Sequence, residues 1–254
     1  MAGLGRIRRS KGARVKRWLA LAVACCTLLP DTAMASERKF LMGSFKDIII
    51  LGDMQVQILT DKAPSAKASG DFSQLDLLRI DRVGTTLTIR LQNPVNNVIG
   101  RRVNEPLVIT ITNREVRNIA LRGNAKVTIS AMRQDLGAKI GIAGGGDVQI
   151  STIAADSLNA DISGNGSIHI LGGSIRSVTA ALDGNGTFEG SAVTTTQLKL
   201  QQDGNATSNF TVQDKAEISN TGAGNITVAG KATCLIRKAG AANIKCAHLG
   251  KDLK

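Results

Sequence analysis

From Ile119 onward, apolar and polar residues alternate with a period of two in short runs, and the runs return about every 20 residues. Taking the first glycine of each intervening turn as an anchor, seven units begin at Gly123, Gly144, Gly164, Gly184, Gly204, Gly222 and Gly240. Four residues before the anchors stand Ile119, Ile140, Ala160, Ala180, Leu200, Ile218 and Ile236. Four after them stand Val127, Val148, Ile168, Phe188, Ser208, Ile226 and Ile244, and six after come Ile129, Ile150, Ile170, Gly190, Phe210, Val228 and Cys246. Alternation of this kind marks a strand with one buried face, and the density of Gly and β-branched residues excludes a helix. The turns read Gly-Asn-Gly at 164–166 and 184–186 and Gly-Asn-Ala at 123–125 and 204–206, residue types that tolerate positive φ where a chain corners.

One unit cannot bury its apolar face alone, so neighbouring units must stack. Stacking at ~4.8 Å pairs the backbones of successive coils and continues each apolar column into one core. The expected fold is therefore all-β, a single-stranded parallel β-helix or solenoid with coils of about 20 residues. A sandwich of meandering hairpins is the competing arrangement, but hairpins do not require the same columns at a fixed long period.

The segment from Phe40 to Leu91 alternates less regularly. Gly52, with Ile48 and Ile50 before it and Val56 and Ile58 after it, fits the anchor pattern, so the solenoid is expected to begin there. Solenoid ends expose strand edges and need covering. Residues 36–105 are thus read as irregular N-terminal coils and cap, 106–246 as regular repeats and 247–254 as a short charged tail, all within one domain spanning 36–254.

Residues 1–17 carry seven basic residues and no acid, an apolar run of 12 residues follows from Trp18 to Leu29, and Ala33-Met-Ala35 supplies small residues. This is the pattern of an export signal over 1–35, cleaved before Ser36. The run is short for a membrane span. Lipid attachment at Cys25 is an alternative that the continuing apolar run disfavours, and Arg8-Arg9 lacks the pattern of a twin-arginine signal. Since seven of the 32 Lys and Arg and one of the 20 Asp and Glu lie in the signal, the net charge falls from +12 to about +6 on its removal. The remaining charge reads as spread along the chain. With no Tyr, a single Trp in the signal and five Phe, stacking platforms are scarce and nucleic acid is not an expected partner.

The stretch Phe45-Lys-Asp-Ile-Ile-Ile-Leu-Gly-Asp-Met-Gln-Val-Gln-Ile58, the segment Gly84-Thr-Thr-Leu-Thr-Ile-Arg90 and the Ile-Ser-Gly-Asn-Gly-Ser-Ile repeats resemble the bacterial auto-transporter adhesin head GIN domain family over about residues 40–246. The resemblance implies a right-handed β-solenoid, export to the periplasm, envelope or cell surface, and an adhesive role; it supplies no catalytic residues. No segment after Lys254 is available to form a translocating barrel, so self-export is not expected of this chain.

Several positions invite a chemical reading. Gly144-Gly-Gly-Asp147 is reminiscent of calcium-binding nonapeptides, but the equivalent positions of the other units carry no recurring carboxylate, so no metal and no cofactor is expected. Asp183 and Asp203 immediately precede their anchors and would adjoin on stacked coils, where paired carboxylates could hold a cation or cleave glycosides; solvated Asp beside a turn is the plainer account. His169 and Glu189 belong to a polar outward column. Five Asn-x-Ser/Thr sites occur at Asn165, Asn185, Asn205, Asn209 and Asn225, three of them where the turn itself wants Asn.

Three residues before the anchors, Asp161, Ala181, Gln201 and Ser219 lie in a column expected to form a long, flat, small-residue wall without a pocket, suited to an extended polymer or protein at the envelope. A polysaccharide-active enzyme and a scaffold that binds itself end to end are the alternatives. Cys234 and Cys246 are the cysteines remaining after the signal, both in inward columns. An oxidising compartment favours a bond between them, whereas opposite walls ~10 Å apart disfavour it, and the sequence leaves the choice open.

Overall fold

The structure is a computed structural model that describes residues 36–92 and 106–250; the export signal with Cys25, residues 93–105 of the N-terminal region and residues 251–254 of the tail lie outside the described residues. In chain order the strands are β1 (Ser36–Phe40), β2 (Asp47–Leu51), β3 (Gln55–Leu59) and β4 (Ser65–Gly70), then helix α1 (Phe72–Leu77), then β5 (Leu78–Val83), β6 (Thr86–Leu91), β7 (Val108–Thr112), β8 (Asn118–Arg122), β9 (Lys126–Gln134) and β10 (Ala138–Gly144). The longer elements follow: β11 (Asp147–Gly164), β12 (Ser167–Ile170), β13 (Gly173–Gly184), β14 (Thr187–Gly204), β15 (Thr207–Asn220), β16 (Asn225–Lys238) and β17 (Asn243–Leu249). All join one sheet that coils into a β-solenoid, and from β8 onward every pairing is parallel.

Stacking follows the anchors residue for residue. Gly144 pairs with Gly164, Gly164 with Gly184 and Gly184 with Gly204, while Ile150 pairs with Ile170 and Ile168 with Phe188. The columns before and after the anchors form two faces of each coil. A third face, which the alternation near the anchors does not reveal, stacks Met132 on Ile153, Ile153 on Gly173 and Gly173 on Val193. Met132, Ile153 and Val193, nine positions after their anchors, point inward, whereas Gly173 at the same position is exposed and Ile175 is buried in its coil.

Bulky and small residues exchange places within the core at one point of the stack. Phe188 and Phe210 stack with ring centroids 4.7 Å apart, although they occupy different columns. Gly190 makes this possible, because a Cβ there would lie 2.9 Å from the Phe188 ring, and Ser208 fills the remaining place opposite. The same region carries a buried polar cluster: Ser208 donates to Gln202 Oε1 at 2.7 Å, and Gln202 Nε2 donates to the Ala206 carbonyl at 2.8 Å. Pairing with solvent-free partners is what permits such groups inside an apolar core. The cluster falls where the coil length drops from 20 to 18 residues.

Coil order departs from chain order at the N-terminal end. β2 and β3 are sandwiched, with β6 and β7 on one side and β8 and β9 on the other. The chain therefore builds β2 and β3, lays β6 and β7 outside them, and returns to continue from their inner side. Antiparallel strands then close the end: β5 covers β6, β4 covers β7, and β1 covers β4. The outermost strands carry Glu37, Arg38 and Lys39 on β1 and Arg79, Asp81 and Arg82 on β5, charges that discourage further strand addition.

At the opposite end the structure joins Cys234 to Cys246, with Cα atoms 6.5 Å apart. The expected ~10 Å between opposite walls does not apply there. Cys246 pairs with Val228 and His248 with Thr233, so Ala247 alone crosses the corner that Ala229–Ala232 occupy in the preceding coil. The last coil cuts across the section, and its strand is drawn towards Cys234.

Two outcomes follow from this geometry. Gly184→Ala should lower stability by about 2 kcal/mol or more in urea unfolding, since φ is +115° and the added Cβ would lie 2.6 Å from the Gly164 carbonyl oxygen; substituting the outward Thr128 should cost under about 0.5 kcal/mol. Thiol titration of unreduced, denatured protein covering residues 36–254 should find neither Cys234 nor Cys246 free, and reduction should lower stability by about 3 kcal/mol.

Candidate binding trough

The strands before the anchors present two outward columns, one and three residues ahead of each glycine. Register places Arg122, Ala143, Ser163, Asp183 and Asp203 in the first and Ala120, Gly141, Asp161, Ala181 and Gln201 in the second. Ala143 and Ser163 in the first column and Ala120, Gly141 and Ala181 on either side of Asp161 in the second are short, so the surface sinks between the longer Arg122, Lys139, Gln201 and Asp203. The result is a shallow trough of about 520 Å³ that runs along the stack.

This corrects the expected flat wall without a pocket: small residues beside longer ones make a depression, not a plane. The trough brings Asp161, Ala181, Gln201, Asp183 and Asp203 together. Ser219 pairs with Gln201 and continues the column, but it lies beyond the trough lining. Sequence reading did not single out Arg122 and Lys139 as site residues. Arg122 occupies the same column as Asp183 and Asp203, so extending that column by three coils would have found it.

Charge is unevenly distributed along the trough. Lys139 Nζ sits 3.5 Å from Asp161 Oδ2, an exposed pair that offsets its own charges. Asp203 Oδ1 accepts from the Thr221 hydroxyl at 2.6 Å and from its neighbour Gly204 N–H at 3.0 Å. Asp183 makes no hydrogen bond or ion pair among the described residues, and neither carboxylate has a basic partner within 4 Å. One end of the trough thus offers a guanidinium and the other a stacked pair of carboxylates, with register fixed by the backbone.

Asp183 and Asp203 are directly paired on adjacent strands, whose backbones lie ~4.8 Å apart, so the paired-carboxylate chemistry of glycosidases has to be weighed. Both are exposed, however, and lack the sheltered environment that sets an acid apart from its partner. Among the described residues no three His, Cys, Asp or Glu side chains come together as a metal-binding group.

The face after the anchors carries the polar ladder that includes His169 and Glu189. Ser167 donates to Asp147 Oδ1 at 2.7 Å, and His169 Nε2 stands 3.7 Å from the same oxygen. Asn209 Nδ2 donates to Glu189 Oε2 at 2.7 Å, and Ser191 donates to Glu189 Oε1 through its N–H at 3.1 Å and its hydroxyl. Burial pushes the Glu189 carboxyl up, but the Ser191 and Asn209 hydrogen bonds and the neighbouring His169 outweigh it and hold it below the ordinary range. At the turns Asn185 Nδ2 donates to Asn165 Oδ1 at 3.1 Å, so two of the Asn-x-Ser/Thr positions serve the stack itself.

A β-solenoid with an open, ligand-sized trough along its coils defines the class of protein. A family model described as "putative auto-transporter adhesin, head GIN domain" matches residues 44–232, and the chain belongs to that family. The fold is similar to a crystal structure of a putative adhesin from Bacteroides fragilis, with a TM-score of 0.74 at 19% identity, covering 84% of this chain and 97% of that one. It is also similar to a putative adhesin from Parabacteroides merdae (TM-score 0.64, 16% identity, 87% and 98% covered). A third neighbour, described as a putative lipid binding protein from Parabacteroides distasonis, gives a TM-score of 0.62 at 17% identity, covering 87% and 98%. No curated protein matches the sequence.

A carboxylate with a depressed pKa stabilises the fold above its unfolded value and loses that contribution as pH falls through the folded one. Glu189→Gln should therefore show a flatter loss of melting temperature than the parent below about pH 4.3; identical acid limbs would mean that Glu189 is not held by its neighbours.

Proposed function

We propose that this chain is an exported binding protein of the periplasm or cell surface, adhesin-like and without catalysis, whose trough takes an extended polymer or polypeptide. The observation that carries this reading is the alignment of five of the six sequence-derived site residues along one trough spanning consecutive coils. A ligand lying along the stack meets equivalent positions every ~4.8 Å, so contacts that are weak singly add over its length.

Export is supported by the residue pattern of 1–35, by family membership, and by a disulfide of the kind that persists in oxidising compartments. Among the described residues no helix is long and apolar enough to cross a membrane. A role without catalysis is supported by the exposure of both paired carboxylates.

The test is an array of glycans and matrix proteins probed with the protein covering residues 36–254, followed by titration of each hit against variants. Ala181→Trp fills the trough and should weaken binding at least tenfold; Asp183→Asn with Asp203→Asn should weaken it for a cationic ligand only. Ser219→Trp, outside the trough, should bind as the parent does. Hits that all three variants leave unchanged would overturn the trough as the binding face.

A further inference from the structure

The C-terminal end of the solenoid differs from the rest in charge and in edge chemistry. Residues 218–250 contain Lys231, Arg237, Lys238 and Lys245 and not one Asp or Glu, whereas residues 147–217 hold eight carboxylates against three cations. The positive charge that reads as spread along the sequence is in fact zoned along the stack. All four cations are exposed, and none has a carboxylate within 4 Å among the described residues. Beside them β17 pairs with β16 on one side only, and no described strand lies on its other side. Asn243 donates its N–H to the Gly224 carbonyl at 3.0 Å, so strand alternation turns the N–H groups of Ile244 and Cys246 away from β16. Ile236, Ile244 and Cys246 are only half-buried there, leaving part of the core at the open edge.

We propose that the outer edge of β17 is a second binding site, distinct from the trough, which takes an acidic polypeptide segment as an added strand. A free edge supplies regularly spaced backbone donors and acceptors that only another polypeptide backbone matches, and the surrounding cations select its charge. A second copy of this chain is disfavoured as the occupant. Its own β17 edge carries the same cations, and its N-terminal edges are the charged strands β1 and β5 within a segment, residues 36–146, that holds 16 Lys and Arg against 10 Asp and Glu. The disulfide fits this role, because it fixes β17 in place and so presents an ordered edge to the incoming strand.

The test uses protein covering residues 36–254 and two fluorescent octapeptides in which Val and Thr alternate with either Glu or Lys. Anisotropy should show the acidic peptide binding at least tenfold more tightly than the basic one, with affinity falling as salt rises. Lys238→Glu with Lys245→Glu should invert that preference, a gain of binding that a misfolded variant could not give. Amide exchange should slow at Ile244 and Cys246 on addition of the acidic peptide. Equal binding of both peptides, binding without protection of those amides, or equal capture by anionic lipid vesicles would each overturn the proposal.

Discussion

Everything in this fold depends on how closely the anchor glycines approach one another. Four anchor carbonyls accept a hydrogen bond from the turn of the next coil: Asn165 to Gly144 at 3.0 Å, Asn185 to Gly164 at 3.0 Å, Asn205 to Gly184 at 2.9 Å and Ala223 to Gly204 at 3.0 Å. The same oxygen lies where a Cβ on the next glycine would sit, and the anchors from Gly52 to Gly204 have positive φ. A side chain at these positions would push the coils apart and strain the corner together. Lateral spacing, register and the direction in which each wall leaves the turn are therefore set at one point per coil. The trough follows directly, since it is the outward side of the strand that runs into that point.

Holding the corner fixed lets the other positions vary. The exchange of Phe188 and Gly190 for Ser208 and Phe210 preserves the filled volume across two coils while changing which column supplies it. The polar cluster of Gln202, Ser208 and Asn220 sits at the shortening to 18 residues, with Ser208 donating to Gln202 and Asn220 Nδ2 donating to the Gln202 carbonyl, while Asn220 Oδ1 is buried without a partner among the described residues. On the outside no packing constraint operates, which leaves the two outward columns free to carry Arg122, Asp161, Asp183 and Asp203. Function on a solenoid of this kind is a property of columns, and single residues matter through the neighbours that stacking gives them.

Most of the fold was legible because a period-two pattern repeated at a fixed long period admits few arrangements. The columns through Ile119, Ile168 and Ile170 and the pairing of successive anchors are the clearest cases. The third face was not legible, because the residues nine positions after the anchors, Met132, Ile153, Gly173 and Val193, vary in size and burial and lie far from the glycine used to align them. The insertion of β2 and β3 between later strands left no local mark in the sequence, being decided by long-range pairing. The trough was half legible: Asp161, Ala181 and Gln201 stand in the outward column picked out beforehand and Asp183 and Asp203 were named as a pair, but concavity depends on comparing side-chain sizes across coils. The disulfide was undecidable until the shortcut at Ala247 was known, since both cysteines satisfy the inward pattern with or without a bond.

The central claim is that the stacked columns act together on one extended ligand. The measurement that tests it most directly is the affinity of a ligand identified by array, taken as a function of its length. Arg122 to Asp203 spans four strand spacings, ~19 Å. Affinity should rise with each added unit until the ligand covers that span and then level off. An affinity that is already maximal for the smallest unit would contradict the account and locate binding at a single point.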